Sequence, residues 1–132
     1  MNKNAELVWQ TFMQSLGEKT DVWRNLLSED FRFHCPQKQS QDKDAYIKTI
    51  LEFFQIVKDF QLIRYAATDS LVTTEASFIV STPTGGELTL DVAEFYEVRD
   101  GKIQSAKIFY DTDAFRRTFA LEQKPIAQAA NV

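Results

Sequence analysis

Leu88-Thr89-Leu90-Asp91-Val92-Ala93-Glu94-Phe95-Tyr96-Glu97-Val98 is the stretch that decides the fold. Side chains of a strand point alternately to its two faces. Leu88, Leu90, Val92, Glu94, Tyr96 and Val98 therefore share one face, and five of these six positions suit an apolar interior. The sixth, Glu94, aims a carboxylate at the same interior. Glu is almost never fully buried unless something satisfies it. The pattern points to an apolar cavity holding one acid.

Turn signals bracket this strand. Pro83-Thr84-Gly85-Gly86 precedes it, and Asp100-Gly101, a preferred dipeptide for tight hairpins, follows it. Upstream, Phe60 to Ala67 and Leu71 to Thr82 are rich in β-branched and aromatic residues and read as strands. Downstream, Lys102 to Asp111 reads as the last strand and Ala114 to Leu121 as a helix. The tail, 122–132, is expected to be frayed.

The first half has helical period. Ala5, Val8, Trp9, Phe12, Met13 and Leu16 follow the i, i+3, i+4 rule, with Gly17 placed to end the helix. Thr20 or Asp21 can cap a short second helix through about Leu27, burying Val22, Trp23, Leu26 and Leu27. Phe31, Phe33 and Cys35 alternate with Arg32 and His34 as a short strand that Pro36 ends. Gln37 to Lys43 reads as a polar loop. Asp42 or Asp44 can cap a third helix, with Tyr46, Ile47, Ile50, Leu51, Phe54 and Val57 facing inward. Three helices before a meander of four long strands give an α+β class, one domain over 1–132. A cone-shaped, curved, mixed or antiparallel sheet wrapped around the N-terminal helices would leave an internal pocket.

Bulk composition narrows the function classes. The 132 residues are 44% hydrophobic and 26% charged, as in ordinary globular domains, but 13% aromatic, with eleven Phe, four Tyr and two Trp. So many rings favour a cavity with flat apolar walls. A net charge of −4 with scattered Lys and Arg argues against nucleic acid. The apolar runs are too short for a membrane span. The lone Cys35 excludes an intramolecular disulfide and is compatible with a reducing, cytoplasmic setting. One His, one Cys and scattered acids give no metal-ligand spacing. With no Gly-rich phosphate loop, nucleophile elbow or dinucleotide fingerprint either, no cofactor and no metal are expected.

In this order the elements resemble the nuclear-transport-factor-2-like superfamily, and within it the SnoaL-like small-domain branch, of polyketide cyclase and ketosteroid isomerase-like fold. The carriers are the first helix ending near Leu16-Gly17, Leu27-Ser28-Glu29-Asp30-Phe31-Arg32-Phe33, and Ala45 to Phe54. Glu94-Phe95-Tyr96-Glu97-Val98-Arg99-Asp100-Gly101-Lys102-Ile103 and Phe109-Tyr110-Asp111 complete the set. The resemblance implies a cystatin-like roll with an internal pocket. That superfamily hosts isomerases, cyclases, dehydratases, epoxide hydrolases and binding modules, so fold alone does not fix function. In its ketosteroid isomerases the general base is an Asp before a Pro on the first short strand, a place that falls here on Cys35 before Pro36. Their Tyr donor on the first helix falls at about Phe12. Their protonated Asp donor falls on Glu94, which keeps the carboxyl. With one of three roles kept, the resemblance argues against steroid isomerisation by that mechanism. The dehydratase pattern needs two histidines where this chain has only His34, and the Arg and Asp arrangement of the epoxide hydrolases is absent. The acid that SnoaL-like cyclases use late in the sheet is matched nearest by Asp111.

Glu94 is the leading candidate. Desolvation in an apolar cavity favours a protonated carboxyl, which can donate a hydrogen bond or act as a general acid. The alternative is a structural buried acid bonded to Tyr, Trp or Arg. Asp111 is the second candidate carboxyl, and its alternative is to cap the last helix. His34 opposes Phe31 and Phe33 in parity and is expected to face outward. Cys35 reads as a small buried hydrophobe. Arg64 shares parity with Phe60 and Leu62 and is expected to point into the cavity, with Tyr65 on the other face. The expected pocket is therefore lined by Phe12, Phe33, Cys35, Phe54, Arg64, Val92, Tyr96 and Phe109. Its occupant would be a small apolar, carbonyl-containing molecule, either isomerised, cyclised or dehydrated with Glu94 as acid, or simply bound. Thr89, Ala93 and Phe95, alternating with Asp91 and Glu97 on the outer face, suggest a homodimer that buries the sheet.

Overall fold

The computed structural model describes residues 4–36 and 38–123. The expected frayed tail lies outside them, beyond Gln123. Four helices and six strands follow in the order α1 (Asn4–Glu18), α2 (Val22–Asn25), β1 (Leu27–Cys35), β2 (Lys38–Gln41), α3 (Lys43–Phe54), β3 (Val57–Ala67), β4 (Leu71–Ser81), β5 (Glu87–Arg99), β6 (Lys102–Tyr110) and α4 (Thr112–Gln123). The expected α+β class holds, with N-terminal helices against a curved, unclosed sheet of strand order β2-β1-β6-β5-β4-β3. β1 runs parallel to β6, and every other neighbouring pair is antiparallel.

The period-two pattern of the 88–98 stretch is realised. Leu90, Val92, Glu94, Tyr96 and Val98 are buried, while Thr89, Asp91, Phe95 and Glu97 are exposed. Register shifts interrupt β1, β3 and the β5–β6 pairing. Each extra residue bends its strand and increases the local twist, which curls the sheet around the helices.

Helix α1 buries Ala5, Trp9, Phe12 and Ser15 along one stripe. It ends later than the sequence suggested: Gly17 is helical, and Lys19 takes the left-handed conformation at φ 59°. Lys19 N donates to Leu16 O at 3.2 Å and Thr20 N to Ser15 O at 3.1 Å, the paired closure of a Schellman motif. The Ser15 hydroxyl then accepts from Trp23 N at 2.9 Å, which fixes α2 against α1. Helix α2 is one turn, and its Val22 is 47% exposed rather than buried. Asp42 caps α3, accepting from Ala45 N at 2.9 Å. Leu51, expected inside, points outward. Residues 38–41, expected as loop, form the edge strand β2.

Two apolar clusters result. The larger gathers Trp9, Phe12, Trp23, Phe31 and Ile103 under α1, with the smaller around Ala76, Val80, Leu90 and Val92. A buried side chain such as Leu27 or Phe31 contributes about 2 kcal/mol by leaving water. Among the described residues no helix is long and apolar enough to cross a membrane.

Candidate functional site

Glu94 lies midway along β5 on the inner face, 8% exposed. Thr74 sits directly opposite on β4, itself buried, and its hydroxyl donates to Glu94 Oε1 at 2.9 Å. Tyr96, two residues along the same face, supplies a second hydrogen bond. Burial pushes the carboxyl pKa up, and the bonds from Thr74 and Tyr96 oppose that rise without cancelling it. Tyr46 on α3 and Tyr96 are pushed far above the usual phenol range, first by burial and then by the Glu94 charge. Thr74 and Tyr96 are hydrogen-bond donors to a carboxyl that burial biases against ionisation, and Tyr46 lies near enough to feel its charge.

This carboxyl opens on a cavity of about 550 Å³, within the usual range for small-molecule sites. Its walls come from every layer: Met13 and Leu16 of α1, Phe33 and Cys35 of β1, Tyr46, Ile50, Phe53 and Phe54 of α3, and Phe78 of β4. Leu90, Val92 and Tyr96 of β5, Ile108 and Tyr110 of β6, and Phe115 of α4 complete them. The rings brace one another. Phe53 meets Phe78 edge-on at 5.1 Å, Phe60 lies 4.9 Å from Phe78, and Tyr110 lies 5.6 Å from Phe115. The half-buried Tyr110 bonds to Cys35, and burial together with that thiol pushes its phenol up to about 12. Exposed Gly17, Lys19, Lys58 and Asp59 form the rim.

Of the residues expected at the site, Glu94, Phe33, Cys35, Phe54, Val92 and Tyr96 meet around the cavity. Four do not. Phe12 is fully buried one layer behind, edge-on to Tyr96 at 5.8 Å and Trp23 at 6.4 Å. Arg64 lies on the outer face, its Nε bonded to Glu75 Oε1 at 2.6 Å. The register shift between Leu62 and Arg64 reverses the parity, so Tyr65, expected outside, turns inward and donates to Glu6 Oε2 of α1 at 2.6 Å. Phe109 is 50% exposed for the same reason. The shift at Glu97/Val98 puts Ile103 inside opposite Val98, yet leaves Phe109 opposite outer-facing Ala93. Asp111 lies beyond β6 and is exposed. Its Oδ1 accepts from Asp113 N at 2.9 Å and Ala114 N at 3.4 Å, which caps α4.

Thr74 was missed, although the hairpin contains the signal. Once the turn after Ser81 places it opposite Glu87, seven steps back along both strands bring Thr74 opposite Glu94. Phe53, Phe60, Phe78 and Lys19 were also missed as wall or rim residues. Among the described residues no group of three or more His, Cys, Asp or Glu could hold a metal ion.

Residues 10–106 match the family model of the SnoaL-like domain. No curated protein matches the sequence. Similar solved structures include a candidate polyketide cyclase from Xanthomonas campestris, 17% identical, with a TM-score of 0.74 over 89% of this chain and 97% of that one. A candidate isomerase from Rhodopseudomonas palustris is 11% identical, with a TM-score of 0.72 over 88% of this chain and 97% of that one. A nuclear-transport-factor-2-like protein of unknown function from Burkholderia pseudomallei is 13% identical, with a TM-score of 0.74 over 88% and 97%. At these identities the likeness establishes the shared fold.

Proposed function

The chain belongs to the SnoaL-like domain family, and on that premise we propose that it is a cofactor-independent isomerase, cyclase or hydro-lyase acting on a small hydrophobic carbonyl compound. The observation that carries this reading is Glu94: a carboxyl buried in an aromatic cavity of about 550 Å³ and biased toward its protonated form. In that form it hydrogen-bonds a carbonyl oxygen and stabilises the negative charge that develops there. Thr74 and Tyr96 orient it, and the surrounding rings exclude water and strengthen the bond. Two of the similar structures bear names, polyketide cyclase and isomerase, that belong to this kind of carbonyl chemistry.

The test is turnover of a panel of β,γ-unsaturated ketones, β-hydroxy ketones and ring-closing poly-β-ketones by the wild-type protein and by Glu94→Gln. A general acid contributes about 10²–10⁴-fold, so the variant should lose at least about 100-fold in kcat/KM. Unchanged turnover would remove Glu94 from the chemistry. A second reading, a non-catalytic binding module, is favoured by Cys35 and Phe12, which stand where the resembled isomerases carry a base and a donor. A panel member that binds tightly, survives long incubation and ignores Glu94 would select it.

We propose a cytoplasmic homodimer joined through the outer sheet face. Exposed Phe95 and Phe109 stack edge-on at 6.0 Å there, beside Glu97 and Lys107 of opposite charge, a patch that can meet its own copy across a twofold axis.

A further inference from the structure

The chain is acidic, with a net charge of −4, yet two exposed lysines, Lys19 and Lys58, stand at its cavity mouth beside Asp59. One of the two is committed elsewhere: Lys58 Nζ pairs with Glu87 Oε2 at 2.8 Å. Lys19 forms no ion pair among the described residues. Its ammonium instead lies 5.7 Å from the centroid of Phe54, a ring of the cavity wall.

The backbone fixes where Lys19 stands. Its φ of 59° is the left-handed conformation that closes α1, a place where glycine is the low-cost residue. Gly17 stands two positions away inside the helix, and Lys19 takes the strained position. The partial negative charge of the helix C-terminus helps hold an ammonium there, but it does not use all three of its donors.

We infer that the cavity takes an amphiphilic anion, with a flat apolar body among the rings, an accepting oxygen at Glu94 and a carboxylate or sulfonate at the mouth held by Lys19. This rests on the cavity reading above and adds the anionic end of the ligand. Lys19 is then a specificity residue: it selects charged over uncharged occupants and takes no part in any bond rearrangement.

Two fluorescent probes separate the two readings. 8-Anilinonaphthalene-1-sulfonate and N-phenyl-1-naphthylamine share a ring system, and only the first carries an anion. Both should bind the wild-type protein. Lys19→Gln should weaken the sulfonate about fivefold, the size of one solvent-exposed ion pair, and leave the naphthylamine unchanged. Lys19→Gly, which suits the left-handed backbone, should show the same selective loss, so a folding defect would not imitate it. Added salt should erase the wild-type preference. Equal loss of both probes, or loss of neither, overturns the role of Lys19 while leaving the cavity reading intact. Failure of both probes to bind wild type overturns the cavity reading and this inference together. Phe109→Ser should change neither affinity; loss there would put the probes on the outer face and also overturn the inference.

Discussion

Replacing Glu94 with Gln should make the protein relatively more stable as pH rises. The amide keeps the shape and both contacts: its oxygen accepts from Thr74, and its nitrogen donates to the Tyr96 oxygen. What it lacks is the proton equilibrium. Burial raises the folded-state pKa of Glu94 above the ordinary carboxylate value that the unfolded chain retains. Between those two values the folded chain holds a proton that the unfolded chain has released. The unfolded state then binds fewer protons, so stability falls with pH, the reverse of a salt-bridged acid. Where that proton is fully held, the slope is about −1.4 kcal/mol per pH unit, or about 4 °C in Tm per unit for a domain of this size. The fall begins at the unfolded pKa and levels off above the folded one. The assay is urea unfolding of both proteins in half-unit steps from pH 4 to 8, followed by circular dichroism. Every other titrating group is common to the two chains, so the difference isolates Glu94. The plateau, divided by ~1.4 kcal/mol per unit, gives the shift itself. A flat difference would mean that burial leaves the carboxyl's hold on its proton unchanged, and one that moves in favour of Glu as pH rises would mean that the cavity stabilises an anion; in either case the acid role would fail.

Asp111→Ala should cost about 1 kcal/mol, the usual loss for a helix cap, without changing probe affinity in the cavity; a matching loss of binding would return Asp111 to the site. Lys19→Gly should raise stability by ~0.5–1 kcal/mol, because the left-handed turn ceases to strain a side-chain-bearing residue. Urea midpoints at constant m check both. Light scattering at micromolar concentration should give twice the 15.2 kDa mass of one chain, and Phe95→Ser with Phe109→Ser should halve it; a monomeric wild type would refute the sheet-face dimer.

How much of the site could be read from the sequence depended on parity. The inner face of β5 was legible because its alternation runs unbroken from Leu88 to Val98. Arg64, Tyr65 and Phe109 were assigned to the wrong faces because an extra residue in the ladder exchanges the faces beyond it, and no residue type in 62–64 or 103–105 announces that exchange. Helix boundaries failed for a related reason. Gly17 is the better cap by propensity, but a helix continued to Glu18 puts Ser15 in reach of Trp23 N, and that tertiary bond outweighs it. Lys38 to Gln41 has the composition of a loop and becomes a strand only because β1 offers it an edge to pair with.

The corrected facing also narrows the chemistry. A carboxyl that favours its protonated form can give a proton or a hydrogen bond, but it cannot remove a proton in the same step. Among the described residues its neighbours offer no replacement base. Tyr46, Tyr96 and Tyr110 are all held in the phenol form, the Cys35 thiol is engaged with Tyr110, Asp59 stands on the exposed rim, and Asp111 caps α4. On the proposed function, proton removal at the cavity floor would fall to water or to the substrate itself. That arrangement suits ring closures, in which polarising one carbonyl lets an enol of the same molecule attack it and the proton lost from the enol is taken by solvent. It suits poorly the isomerisations that require one fixed base to carry a proton between two carbons. The proposed function, carried through with this facing, predicts cyclisation rather than isomerisation. A solvent-exchange experiment tests the point. In deuterium oxide, isomerisation of a β,γ-unsaturated ketone that carries its own proton to the new carbon without taking up solvent deuterium would require a fixed base, and would refute the point.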